Sequence, residues 1–155
     1  MSYDITKQSL PALTVLYKEA RCTHAEIAQN LGQLLPAVFQ YATTAGVPMV
    51  GPPMTVYTAW GPGMVTMRAG LAVADGAEGN DEISVMVLPA GEAAVTVHTG
   101  SYDGLGDAHA AVEQWIHEQG HTSAGALREI YVTDPGEVPN PDDWQTQIVW
   151  PLKSA

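Results

Sequence analysis

The chain is short of several things, and each shortage closes a class of function. It has one cysteine, Cys22, so no disulfide can close within it and no cysteine zinc cluster can assemble, which suits a reducing compartment. It has few cations. Six Lys and Arg stand against 17 Asp and Glu, a net charge of −11. Nucleic acid is recognised by neutralising phosphate, so no nucleic-acid partner is expected. The acidic balance fits a cationic ligand, or simply the ordinary acidic surface of a soluble protein. No apolar run reaches the length of a membrane span, and the start, MSYDITKQSL, has neither a basic nor an apolar region. No membrane partner and no signal peptide are expected, and the expected location is cytoplasmic.

Metal and cofactor signals are missing as well. His24, His98, His109, His117 and His121 never fall at HExxH or another ligand spacing, so satisfied or solvated histidines are expected and no metal. The acidic stretch Asp134 to Asp143, DPGEVPNPDD, does not follow the calcium-loop pattern. Gly100-Ser101-Tyr102 lacks the G-x-S-x-G of a nucleophile elbow. Gly104-Leu105-Gly106 is too short to cradle a phosphate. No cofactor is expected.

What the chain does have is enough length and apolar content, 155 residues and 46% hydrophobic, to bury a core. It also has an internal echo. Gly46 precedes Tyr57 by eleven residues, and Gly120 precedes Tyr131 by eleven. Each pair sits in one order of elements: Pro-Ala, an apolar strand, an amphipathic helix, a glycine, a tyrosine-bearing strand and a closing strand. Repeat 1 spans about residues 10–74 and repeat 2 about 82–153 of a single domain, 1–155. The expected fold is α+β: tandem β-α-β-β repeats with pseudo-two-fold symmetry, an antiparallel sheet with both helices on one face, and a central ligand cleft on the other.

Local patterns place the elements. Leu13, Val15 and Tyr17 alternate as in a strand. Thr23 and Glu26 have capping-box spacing. Ile27, Leu31, Leu34, Val38 and Tyr41 form one helical stripe, with a kink expected near Pro36 and a stop at Gly46. Val47 to Pro53 reads as an extended link, Thr55 to Trp60 and Met64 to Val73 as a strand pair, and Asp75 to Asp81 as the linker between repeats. Glu82 to Leu88 and Glu92 to His98 form a hairpin. Asp107 is expected to cap the second helix, with Ala108, Ala111, Val112, Trp115 and Ile116 as its buried stripe. Arg128 to Val132 and Thr146 to Trp150 close the second repeat.

Glu129 is the residue most suggestive of chemistry. By alternation it shares a face with Leu127 and Tyr131, while Ile130 and Val132 suit the helix-covered side. Glu129 and Tyr131 are therefore expected on the open face. A carboxylate beside an aromatic ring suits an amphipathic cation, through charge pairing and cation–π contact. Tyr57 is the repeat mate of Tyr131, and Trp60, Met54, Met64 and Met67 cluster near it as pocket or core filling.

PAGEAAVTVHTGSYDGLGDAHAAVEQWIHEQG, followed by REIYVTDPGEVPNPDDWQTQIVWPL, resembles the GyrI-like small-molecule-binding domain family. PALTVLYKEARCTHAEIAQNLGQLLPAVFQY fits the same pattern, so the resemblance covers about Leu10 to Lys153. It implies paired β-α-β-β units around a cleft and a ligand-binding set of Glu129, Tyr131, Tyr57, Trp60, Met67, Tyr102, Trp115 and Gln147. Many members carry glutamate in the last strand, where this chain reads Thr146-Gln147-Ile148, which leaves Glu129 as the main carboxylate. No helix-turn-helix segment precedes the resemblance, so the chain is expected to be a stand-alone member. The resemblance implies a multidrug binder that sequesters bulky aromatic, often cationic compounds. The alternative it implies is a hydrolase opening the ring of cyclopropanoid genotoxins, with Glu129 as general base and Tyr131 assisting. A gyrase-binding inhibitor is a third reading with no signal of its own.

Overall fold

The capping box forms as its spacing predicts. The Glu26 carboxylate accepts from the Thr23 backbone N–H and hydroxyl, both at 2.9 Å, and these bonds hold the carboxyl below the usual glutamate range. A single 3-10 turn, His24–Glu26, leads from it into the first helix. The computed structural model describes residues 3–124, 126–133 and 137–153, except for the side chain of Asp103. Its elements are β1 (Thr6–Leu10), β2 (Leu13–Thr23), α1 (Ile27–Ala45), β3 (Met49–Trp60), β4 (Met64–Val73), β5 (Ser84–Leu88), β6 (Gly91–Thr99), α2 (Leu105–Glu118), β7 (Leu127–Tyr131) and β8 (Gln145–Pro151). The strands pair antiparallel in each register described here, and with the two helices the class is α+β.

The chain divides into two compact units, Pro11–Ala90 and Met1–Leu10 with Gly91–Ala155. In the Pro11–Ala90 unit the strands run in the order β5-β2-β4-β3. Leu16, Leu71 and Val73 of the sheet pack with Val38 and Ala42 of α1 and with Ile83. This defines the helix-covered face, because Leu16 is register partner to Leu71. The helix runs through Pro36 and ends at Gly46, whose φ of 69° is the left-handed geometry of a helix stop. Its buried residues are Leu34, Val38 and Ala42; Ile27, Leu31 and Tyr41 are half-buried. Tyr41 instead donates its hydroxyl to the Glu78 carbonyl at 2.7 Å, tying the linker to the helix.

In the Gly91–Ala155 unit the strands run β1-β6-β8-β7. β1 was not expected from the sequence, where TKQSL lacks the apolar alternation of a half-buried strand; it pairs with β6 as an outer strand. Val47 to Pro53 was expected as a link, yet β3 begins at Met49. The register breaks between Met49 and Pro53, as prolines without an N–H require. Asp107 is not the N-cap of α2. A 3-10 turn, Tyr102–Gly104, leads in, Gly104 caps, and Asp107 lies in the first turn, where a negative charge meets the positive helix end. The expected acidic loop from Asp134 falls at residues 134–136 outside the described residues; its end forms a 3-10 turn, Pro141–Asp143.

One close approach demands glycine. A Cβ on Gly70 would lie 2.0 Å from the Leu16 carbonyl oxygen, inside any van der Waals contact. Gly70→Ala therefore forces β2 and β4 apart, and we expect a loss of about 2–4 kcal/mol in urea unfolding. Gly63→Ala, where a Cβ meets nothing within 4 Å, serves as the control and should shift little. Equal midpoints for the two variants would contradict the packing described.

Candidate functional site

Strand registers decide which side chains share a face. Across β7 and β8, Glu129 is opposite Ile148 and Tyr131 opposite Thr146; across β8 and β6, Ile148 is opposite Thr96 and Thr146 opposite His98. These rows make one face. The other carries Ile130, Val149, Val95 and Ala93, which cluster with Leu10. The Glu129 carboxylate meets His109 of α2, with Oε2 2.7 Å from Nε2. Glu129 and Tyr131 thus face the helix. The open-face expectation was reversed: Ile130 lies on the side away from α2, and Val132 is half-exposed beyond the strand end. The physical reason is the partnership of His109, which lets a carboxylate occupy the covered side.

Glu129 is 3% exposed. Its Oε1 accepts the Tyr131 hydroxyl at 3.1 Å, two residues along the strand and hence on the same face. Tyr131 lies 5.7 Å from the Tyr102 ring, and Tyr102 lies 4.8 Å from Trp144. Trp144 is fixed by donating its indole N–H to the Val138 carbonyl at 2.7 Å, while its own carbonyl accepts from Gly100 at 2.8 Å. The aromatic rings, the carboxylate and the imidazole thus form one connected group. Arg128 does not neutralise Glu129, because alternation sends it to the opposite face. Burial holds its guanidinium below the usual arginine range, and its Nε has no hydrogen-bond partner among the described residues.

His109 is the neighbour of Glu129 that sequence reasoning missed. Leu105, Ala108, His109, Val112 and Ile116 are the buried side of α2. Spacings of three and four from Leu105 would have included it. The assumed start at Asp107 left out Leu105 and turned the expected stripe toward Ala111 and Trp115. His98 is a satisfied histidine, with Nδ1 2.9 Å from the Tyr3 hydroxyl and Nε2 2.9 Å from the Ser101 carbonyl. Burial and the nearby Asp107 charge push the Tyr3 hydroxyl up from its ordinary range.

The other expected site residues fall in separate places. Tyr57 and Trp60 belong to the Pro11–Ala90 unit, edge to face at 5.0 Å, and Trp60 contacts His24 at 4.8 Å. Met67 is register partner to Tyr57 and accepts the Cys22 thiol at 3.8 Å. Registers place both on the α1-covered face of that unit. Trp115 stacks on His121 at 5.9 Å near the end of α2. Gln147 pairs with Val97 and Ile130, on the sheet face opposite Glu129. There it lines a groove of about 420 Å³ with Thr6, Gln8 and Thr99. No cluster of three or more metal-ligating side chains occurs among the described residues.

The fold belongs to a known class. The chain is a member of the GyrI-like small molecule binding domain family, whose model matches residues 3–153. Its fold is similar to the EcmrR C-terminal domain, at 22% identity and a TM-score of 0.84 over 100% of both chains. In the EcmrR–DNA complex, this chain spans 58% of the EcmrR chain. It is also similar to SAV2435 bound to tetraphenylphosphonium, at 15% identity and a TM-score of 0.70 over 99% of this chain and 95% of that one. A hydrolase encoded by lin2189 from Listeria innocua shares the fold at 13% identity and a TM-score of 0.62, over 96% and 91%. Comparison with curated protein sequences finds no match.

The indole of Trp144 anchors the loop before β8. Trp144→Phe keeps a ring beside Tyr102 but loses the bond to Val138. We expect a stability loss of about 1 kcal/mol and faster cleavage after Glu137 by a Glu-specific protease. Cleavage at the parental rate would show that the indole bond does not hold the loop.

Proposed function

We propose that the protein binds bulky aromatic cations at Glu129 and removes such compounds from the cytoplasm. The observation that carries this reading is a carboxylate only 3% exposed, bonded to the His109 imidazole and the Tyr131 hydroxyl, with the Tyr102 and Trp144 rings in series beyond. A charge held this way costs desolvation that a ligand cation can offset. The Tyr131, Tyr102 and Trp144 rings offer faces to the same cation. Thr146, fully buried in the row beside Tyr131, has a hydroxyl with no hydrogen-bond partner among the described residues, and a polar ligand atom would satisfy it. A related fold holding tetraphenylphosphonium fits this ligand class.

We also infer that the two units descend from one β-α-β-β unit. In support, each closes its helix with a positive-φ glycine, Gly46 at 69° and Gly120 at 73°. Tyr57 and Tyr131 each sit on the helix-covered face of the strand that follows.

The test is calorimetry with tetraphenylphosphonium and with neutral triphenylphosphine oxide. Glu129→Gln keeps the shape and removes the charge. The cation should lose about 1.5–3 kcal/mol of affinity and the neutral compound much less. Equal losses would show that Glu129 does not read charge.

A hydrolase is the second reading, favoured by the hydrogen-bonded series Tyr131–Glu129–His109, a set of groups able to hold and pass a proton. Glu129 would deprotonate water as its oxygen attacks a cyclopropane carbon; a ring C–C bond breaks as the C–O bond forms, the released electron pair stays on the opened substrate and takes up the proton from the Glu129 carboxyl, and Tyr131 positions the substrate. Mass spectrometry after incubation with a cyclopropanoid compound should then find a water adduct, formed about 10²–10⁴-fold more slowly by Glu129→Gln. An unchanged compound, or equal rates, would remove this reading.

A further inference from the structure

Arg128 is a buried cation on the other face of the same strand. The residue is 6% exposed. Its Nε has no hydrogen-bond partner among the described residues, and it joins none of the ion pairs that they form. Burial lowers its pKa, but a guanidinium starts so high that it keeps its charge. An unpaired charge at that depth is strongly disfavoured, and an arriving anion offsets the cost.

The strand registers give its surroundings. On the face away from α2, Arg128 shares a row with Val149, Val95 and Thr6, running from β7 through β8 and β6 to β1. The next row carries Ile130, Gln147 and Val97. Gln147 is therefore the diagonal neighbour of Arg128, about 7–8 Å away across the strand pair and within reach of two long side chains. Exposure rises along this face: Val149 and Val95 are buried, whereas Val97 is half-exposed. Val95, Val97 and Gln147 line the groove of about 420 Å³, together with Thr6 and Asp4. Gln147 thus belongs both to the groove and to the neighbourhood of the guanidinium.

We propose that Arg128, Gln147 and the groove beside them form an anion site for a monocarboxylate with a short aliphatic body. The planar guanidinium fork matches the two oxygens of a carboxylate. The Gln147 amide can donate a further hydrogen bond to them. Val95 and Val97 offer the aliphatic chain an apolar surface between β1 and β8. Asp4 in the same groove repels a second negative charge on the ligand, which favours a monoanion over phosphate. The site lies on the sheet face opposite Glu129, so it stands or falls independently of the aromatic-cation reading.

The experiment is titration calorimetry of the whole protein with hexanoate in Tris chloride at pH ~7, where a carboxylic acid is ionised. Hexan-1-ol and inorganic phosphate are the comparison ligands. Hexanoate should bind, and both comparisons should bind more weakly by about tenfold or more, the scale of a lost charge-assisted hydrogen bond. Arg128→Met keeps an apolar stem and removes the charge, and it should weaken hexanoate by about tenfold or more. Gln147→Glu supplies a carboxylate to Arg128 from the protein itself, and it should weaken hexanoate by a similar factor. If Arg128→Met does not fold, Gln147→Glu decides, and hexanoate bound at the parental affinity by that variant would overturn the site. No hexanoate binding by the parent would also overturn it. So would hexanol bound as tightly as hexanoate, or an unchanged affinity in Arg128→Met. Phosphate bound as tightly as hexanoate would overturn the assignment to a monocarboxylate.

Discussion

The proposed function depends on a carboxylate placed where carboxylates are rarely found. Glu129 is 3% exposed, and an isolated charge at that depth would be expelled or neutralised. It is held because three constraints meet. Strand alternation puts Glu129 and Tyr131 on one side, so a phenolic hydroxyl reaches Oε1. The α2 stripe puts His109 over Oε2. The 3-10 turn and the Trp144 loop set Tyr102 and Trp144 in series with Tyr131.

Arginine beside Glu129 would make a tight, permanent pair and leave little for a ligand. The chain's six Lys and Arg leave few competitors for a ligand cation. The opposite sheet face differs in kind. Gln147 there lines an open groove with Thr6, Gln8, Thr99 and Asp4.

Much of the architecture was legible in the sequence because it rests on local signals: alternation in LTVLY, the Thr23–Glu26 box, the glycine stops and the Gly61-Pro62-Gly63 turn. β1 was not legible. Its polar TKQSL has no half-buried pattern, and only pairing with β6 makes it a strand. The site was legible in part. Glu129 and Tyr131 stood out by residue type, and their shared face followed from alternation. Which face that was did not follow, because alternation gives two faces and does not say which one a helix covers. Valine and isoleucine pointed to the wrong one, since Ile130 finds its apolar neighbours, Leu10 and Val149 among them, on the side away from α2. Gln147 was assigned to the ligand for its place in a family pattern, and its register with Val97 and Ile130 sets it on the other face. His109 was hidden by a helix start misplaced by two residues, enough to turn an amphipathic stripe.

The central claim is that Glu129, on the α2 side of its sheet, is where an aromatic cation is read. A crystal structure of the protein with tetraphenylphosphonium tests it most directly. The account predicts the phosphonium centre within about 6 Å of the aromatic faces of Tyr131 or Tyr102, beside the Glu129 carboxylate. A cation seated in the Gln147 groove, with the Glu129–His109 pair untouched, would contradict it.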